Sequence, residues 1–210
     1  SIRRRQRQMC IRDRERVVNL WGGYKDANRI SPWEEDTLCN TFSVSKAMAS
    51  ACILKLIEEK KINLNEKVSF YWPEYGNNGK ESTKIFDLLT HRAGMFAFEK
   101  NFKVSNEEWT NWDLFINKLS KQKPFYPPGS AQSYHALTFG FLVGEIVRRV
   151  DGRSIGEFFK KNIAEPYDID FIFGLNEKEI KRTSDIVMSK IRSPFLTLSL
   201  IHISEPTRLG

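Results

Sequence analysis

Cysteine and histidine are scarce in this 210-residue chain, at three residues each. Neither Cys39 and Cys52 nor His91 and His135 stand at metal-ligand spacing. No metal site and no cofactor is therefore expected, and the cysteines read as reduced core or near-core thiols rather than a disulfide framework. Long apolar runs are missing too. None approaches the roughly 18 residues that a membrane-spanning helix needs, so no membrane span is expected. Internal repeats and low-complexity linkers are also absent, which favours one mixed α and β domain.

The formal net charge is +7, but it is unevenly placed. Residues 1–14 carry six arginines and one aspartate, a net of +5, while residues 198–210 carry Glu205 and Arg208 and no net charge. Residues 15–197 are left with +2. A basic arm of this kind can be read as a nucleic-acid-binding tail. The alternative is that both ends are foreign. Arg5-Gln6-Arg7-Gln8-Met9-Cys10-Ile11-Arg12-Asp13-Arg14 and Leu198-Ser199-Leu200-Ile201-His202-Ile203-Ser204-Glu205-Pro206-Thr207-Arg208 resemble the two translated adaptors of a transposase sequencing kit. Two such matches at opposite ends favour this reading, which divides the chain into a non-native arm at 1–14, a domain at 15–197 and a non-native tail at 198–210. With the arm set aside no basic surface remains, and no nucleic-acid partner is expected.

Within the domain, Arg16 to Trp21 is β-branched and aromatic and ends at Gly22-Gly23, which predicts a strand running into a turn. Met48, Ala51, Cys52, Leu54 and Ile57 recur near a 3.6 period, predicting a helix that opens at Ser43. Val68 to Tyr75, around Trp72-Pro73, reads as an extended aromatic stretch. A short helix is expected from Thr83 to Thr90, with a glycine cap at Arg92-Ala93-Gly94. Further helices are expected at Trp112–Leu119, at about Leu137–Val150, and from Ser154 through Phe158-Phe159.

Three serines sit in patterns with catalytic associations. Gly152-Arg153-Ser154-Ile155-Gly156 fits the G-x-S-x-G elbow, which requires a strand before it. An amphipathic helix precedes it here, and Glu157 follows three residues after Ser154, so a capping box is the better reading. Ser120-Lys121-Gln122-Lys123 satisfies S-x-x-K but lies in a polar stretch before a proline-rich loop, and it reads as solvated surface. Ser43-Val44-Ser45-Lys46 opens an apolar helix. Its spacing puts both side chains on one face, about 5–6 Å apart at Cβ, in the turn where the helix dipole favours an alkoxide. A serine hydroxyl needs an adjacent base, and a lysine desolvated near a helix N-terminus can serve. The plain alternative is Ser43 as a helix cap with Lys46 in solvent. About ninety residues on, the rigid Pro127-Pro128-Gly129 loop delivers Tyr134. A phenol beside an ammonium ionises more easily and can shuttle a proton; the alternative is a core tyrosine bonded to backbone.

Together, Ser43-Val44-Ser45-Lys46, Leu88-Leu89-Thr90-His91-Arg92-Ala93-Gly94 and the run from Tyr134-His135-Ala136 to Asp151-Gly152 resemble the serine β-lactamase-related family, and within it the family VIII carboxylesterases. Trp21-Gly22-Gly23-Tyr24, Trp72-Pro73 and Pro128-Gly129 fit the same pattern, and the likeness runs from about 15 to 185. It implies a β-lactamase/DD-peptidase-like α/β (α+β) fold, an antiparallel sheet plus a helical region, incomplete at both ends. By the same resemblance Ser43 is the acylated serine, Lys46 its paired lysine, and Tyr134 the tyrosine acting as base and acid. His91 matches a structural position, and His135 is expected to pack or hydrogen-bond.

The function implied is cleavage of carboxylic esters, small molecules, through an acyl-enzyme on Ser43. Two departures qualify it. Ala136 stands where class C β-lactamases have the Asn of Tyr-x-Asn, which favours esters over β-lactam amides. No Lys-Thr-Gly or His/Trp-x-Gly tripeptide follows Tyr134, and the strand bearing it supplies the family's second oxyanion donor. The chain as written is therefore expected to be a truncated copy with little or no turnover, and its open sheet edge to invite aggregation. A β-lactamase or D-alanyl-D-alanine carboxypeptidase, and a non-catalytic binding protein on the same scaffold, are the alternatives.

Overall fold

The computed structural model describes residues 6–13, 15–100, 102–105 and 107–186. Residues 198–210, read above as a foreign tail, lie outside them. In chain order the elements are β1 (Gln6–Arg12), β2 (Glu15–Gly22), α1 (Val44–Glu58), α2 (Val68–Tyr71), α3 (Ile85–Leu89), α4 (Trp112–Lys121), α5 (Thr138–Asp151), α6 (Ile155–Phe159) and α7 (Glu177–Lys181). They fall into two compact units, one built from residues up to Phe42 together with those from Gly174, the other from Ser43 to Phe173.

In the first unit β1 and β2 pair antiparallel, Gln6 opposite Gly22 and Arg12 opposite Glu15, with an irregularity at Cys10/Ile11. The expected strand at Arg16–Trp21 is present, and Gly23 turns the chain at φ +99°. The turn after it is closed by Asp26, whose carboxylate accepts from the Ile30 and Ser31 N–H groups. Cys39 is exposed, unlike the near-core thiol expected of it, because it lies in the irregular segment after the Leu38–Thr183 bridge.

The second unit is helical. Its core joins Ala49, Cys52, Ile53 and Leu56 of α1 to Phe139, Leu142, Val143, Ile146 and Val147 of α5, with Trp72, Tyr75, Leu88, Leu119, Phe158 and Phe159 around them. Burial on this scale contributes about 1.5–3 kcal/mol per large side chain. α5 ends at Gly152, left-handed at φ +90°, its N–H donating to the Arg148 carbonyl. At its middle, Gly144 lies against the Trp112 ring, and Trp112 Nε1 donates to the buried Glu145 at 2.9 Å. Arg148 and Arg149 pair with the same carboxylate at 2.7 Å.

Three local readings are corrected. Val68–Tyr75 is not extended: α2 is followed by a 3₁₀ turn at Pro73–Tyr75. Pro73 stands in the first turn, where its missing N–H costs nothing, and Trp72 and Tyr75 are both fully buried. Next, α3 does not end on Gly94. Its C-cap is Thr90 and the left-handed residue after it is His91, φ +60°. Gly94 instead lets the chain pass against the loop at 124–126, where a Cβ would overlap the Tyr126 carbonyl. Finally, Ser120 is buried, not solvated. Lys80 is the reason. Its fully buried ammonium donates to the carbonyls of Asn77, Ser120 and Gln122, tying the 77–80 turn to the end of α4. Burial holds its pKa down to about 8.

Candidate active site

All the residues singled out for chemistry lie in the helical unit, and the fold sorts the three serines. Ser154 takes an extended backbone, its Oγ accepting from the Glu157 N–H while Glu157 Oε2 accepts from the Ser154 N–H. That is the capping box expected from its sequence. Ser120 spends its hydroxyl on the Asn117 carbonyl, 2.9 Å away. Ser43 is different. It precedes α1 with helical dihedrals, φ −72° and ψ −8°, and its side chain makes no capping bond. The hydroxyl is directed to other side chains instead.

Its nearest partner is Tyr134, whose OH lies 2.6 Å from Ser43 Oγ across 91 residues of sequence. Lys46 Nζ lies 3.4 Å from the same oxygen and 4.9 Å from the centre of the Tyr134 ring. The i, i+3 spacing on the first turn of α1 thus brings lysine and serine to one face. The loop ending at Tyr134 brings the phenol to meet them. Ser43 is exposed, while Lys46 and Tyr134 are half-buried, so the cluster opens to solvent at the serine. Two hydroxyls at 2.6 Å share one proton between them: a protonated phenol donates to serine, and an ionised phenol accepts from it.

The loop is fixed from beneath. Its start is bound to the end of α3, where the Gly129 N–H donates to the Arg92 carbonyl and the Arg92 side chain donates to the Gly129 carbonyl. Beyond Tyr134, Ala136 is exposed and His135 is fully buried. His135 Nδ1 lies 2.6 Å from the Ser133 carbonyl, and its Nε2 accepts from the Met95 N–H at 3.2 Å. The second contact leaves Nδ1 as the protonated nitrogen. Burial, with His91 adding to it, pushes the pKa of His135 down to about 4 despite the Ser133 carbonyl.

His91 is the residue that sequence reasoning underrated. Its ring packs on Tyr134 with centroids 4.9 Å apart, and its Nδ1 accepts from the His135 N–H at 3.2 Å. Its place after a helix, in Thr90-His91-Arg92-Ala93-Gly94, signalled a turn but not which ring the turn would meet. Burial and the charge of Lys46 hold its pKa below the ordinary histidine value. Among the described residues no three His, Cys, Asp or Glu side chains converge to hold a metal ion, and no helix is long and apolar enough to cross a membrane.

A family model described as Beta-lactamase matches residues 8–193. The chain belongs to the beta-lactamase family. It carries that family's β-lactamase/DD-peptidase-like mixed fold. A crystal structure of a family VIII carboxylesterase superposes with a TM-score of 0.76 at 38% identity, covering 82% of this chain and 47% of that one. A penicillin-binding protein homolog from Caulobacter crescentus gives 0.77 at 37% identity, covering 84% and 47%. The esterase/beta-lactamase LipL of Mycobacterium tuberculosis is 30% identical over 158 residues, which are 75% of this chain and 36% of LipL. The chain therefore spans less than half the length of these relatives.

Proposed function

We propose that the protein cleaves carboxylic esters through an acyl-enzyme on Ser43. The observation that carries this reading is the approach of Tyr134 OH to 2.6 Å and Lys46 Nζ to 3.4 Å of one serine oxygen. In the proposed step Ser43 Oγ attacks the ester carbonyl carbon and gives its proton to the Tyr134 oxygen, which the neighbouring Lys46 ammonium stabilises as phenolate. Collapse of the tetrahedral intermediate breaks the ester C–O bond, and the alcohol leaves with the proton held by Tyr134. Water then attacks the acyl-serine by the same route in reverse. The Ser43 N–H, at the start of α1, supplies one oxyanion donor, a kind of group worth about 2.7–4 kcal/mol when removed.

Esters are preferred to β-lactams because Ala136 presents no amide beside Tyr134. Exposed Val44 and Leu137, neighbours in sequence of the serine and the tyrosine loop, suit an apolar acyl group. The likeness to a family VIII carboxylesterase supports the ester reading, while LipL bears both names, esterase and beta-lactamase. A p-nitrophenyl butyrate assay read with intact-protein mass tests this. Release of p-nitrophenol and a mass gain from the acyl group, both lost in Ser43→Ala, are expected. Equal hydrolysis by Ser43→Ala would sink the proposal, and rapid turnover of a chromogenic cephalosporin would overturn the preference for esters.

A further inference from the structure

His91 holds a left-handed backbone, φ +60°, a region uncommon outside Gly in which Asn, Asp and His recur most. Several bonds hold it there. Its N–H donates to the Leu88 carbonyl at 3.3 Å, and its carbonyl accepts from the Ser133 N–H at 3.1 Å and from Tyr126 OH at 3.4 Å. Its Nδ1 accepts from the His135 N–H at 3.2 Å. The residues on both sides of Tyr134 thus donate to His91, while the Tyr134 ring rests on the imidazole. Phe139 and His135 pack against the same ring at 5.0 and 5.3 Å.

We propose that His91 is a positioning residue that clamps Tyr134 against Ser43 through an Nδ1 acceptor available only while the imidazole is neutral, so that acylation falls when His91 takes up a proton. The proposal rests on the reading of Ser43, Lys46 and Tyr134 given above. A neutral imidazole has one donor and one acceptor, and a protonated one has two donors. With a proton on Nδ1, the His135 N–H would face another N–H and the grip on the loop would open. The titratable groups facing the imidazole are Lys46 from α1 and Tyr134 and His135 from the tyrosine loop. No carboxylate is among them, and the one anion they offer, the Tyr134 phenolate of the proposed acylation step, is matched by the Lys46 ammonium over the same ring. Burial and Lys46 both lower the pKa, so the clamp is whole above the ordinary histidine range and is lost as pH falls through the lowered value.

Two substitutions separate the acceptor from the ring. His91→Asn tolerates the left-handed backbone and offers a carbonyl oxygen, but it does not titrate. His91→Phe keeps an aromatic surface and removes the acceptor. Fluorophosphonate labelling of Ser43 is followed from about pH 5 to 9, with circular dichroism to confirm folding. His91→Asn should label within about threefold of wild type near pH 8 and lose the acid limb. His91→Phe should label ten- to a hundredfold more slowly at every pH with unchanged probe affinity, the scale of a misplaced catalytic group. Wild-type labelling by His91→Phe, or a wild-type acid limb in His91→Asn, overturns the proposal.

A second readout does not depend on activity. In wild type, the protection factor of the His135 amide (its exchange rate relative to the intrinsic rate at each pH) should fall as the ¹⁵N-imidazole signal of His91 takes up its proton. The absence of that coupling also overturns it. If Ser43 never labels but the coupling is present, the catalytic reading has failed and the clamp stands.

Discussion

A fully buried imidazole with both nitrogens engaged has no room for a second proton. His135 is such a residue, its Nδ1–H on the Ser133 carbonyl and its Nε2 on the Met95 N–H, with a pKa pushed down to about 4. In the unfolded chain a histidine titrates near 6.5. Between these values the unfolded state binds more protons, so stability rises with pH across the window and is full above about 6.5. The difference corresponds to at most roughly 3 kcal/mol. Urea unfolding at pH 4.5 and 7.5 should show the loss on the acid side, and His135→Gln should flatten that part of the dependence. An unchanged slope in the variant would show that other groups carry it.

At the scale of single elements, the contrast between Ser154 and Ser43 is the useful one. Both precede helices, but the Ser154 Oγ accepts from the Glu157 N–H, whereas the Ser43 Oγ meets Tyr134 and Lys46. Ser154→Ala should cost about 1 kcal/mol, the usual worth of a cap, and leave probe labelling of Ser43 unchanged. A loss of labelling in a folded Ser154→Ala protein would contradict the assignment of roles. Sequence patterns located most elements because hydrophobic period and caps are local properties. They failed where burial came from elsewhere. Nothing near Ser120 shows that Lys80, forty residues earlier, donates to its carbonyl. The Trp72-Pro73 pair looks extended until the burial of Trp72 and Tyr75 rewards a turn.

Across the whole chain, the family was legible because its motifs are short and ordered along the sequence. The clustering of Ser43 with Lys46 follows from helical spacing. The meeting of Ser43 with Tyr134 does not, since no local rule spans the interval between them. The clamp around Tyr134 was less legible still, because it depends on a left-handed His91 whose contacts to Ser133, Tyr134 and His135 are set by the tertiary fold.

The contact between Ser43 and Tyr134 joins positions 91 residues apart. Closing a loop of that length costs about 4 kcal/mol of chain entropy beyond a constant, before any return from the contact itself. α1 can begin to coil on its own residues, but Tyr134 reaches it only after the segments between have collapsed. The site should therefore be a late event in refolding. In a stopped-flow experiment the helical signal should recover first, and competence for pulse labelling by a fluorophosphonate should trail it. Coincident recovery would show that the helix and the tyrosine loop fold in one step. The same pair of atoms proposed to break an ester would then serve as a clock for the chain that carries them.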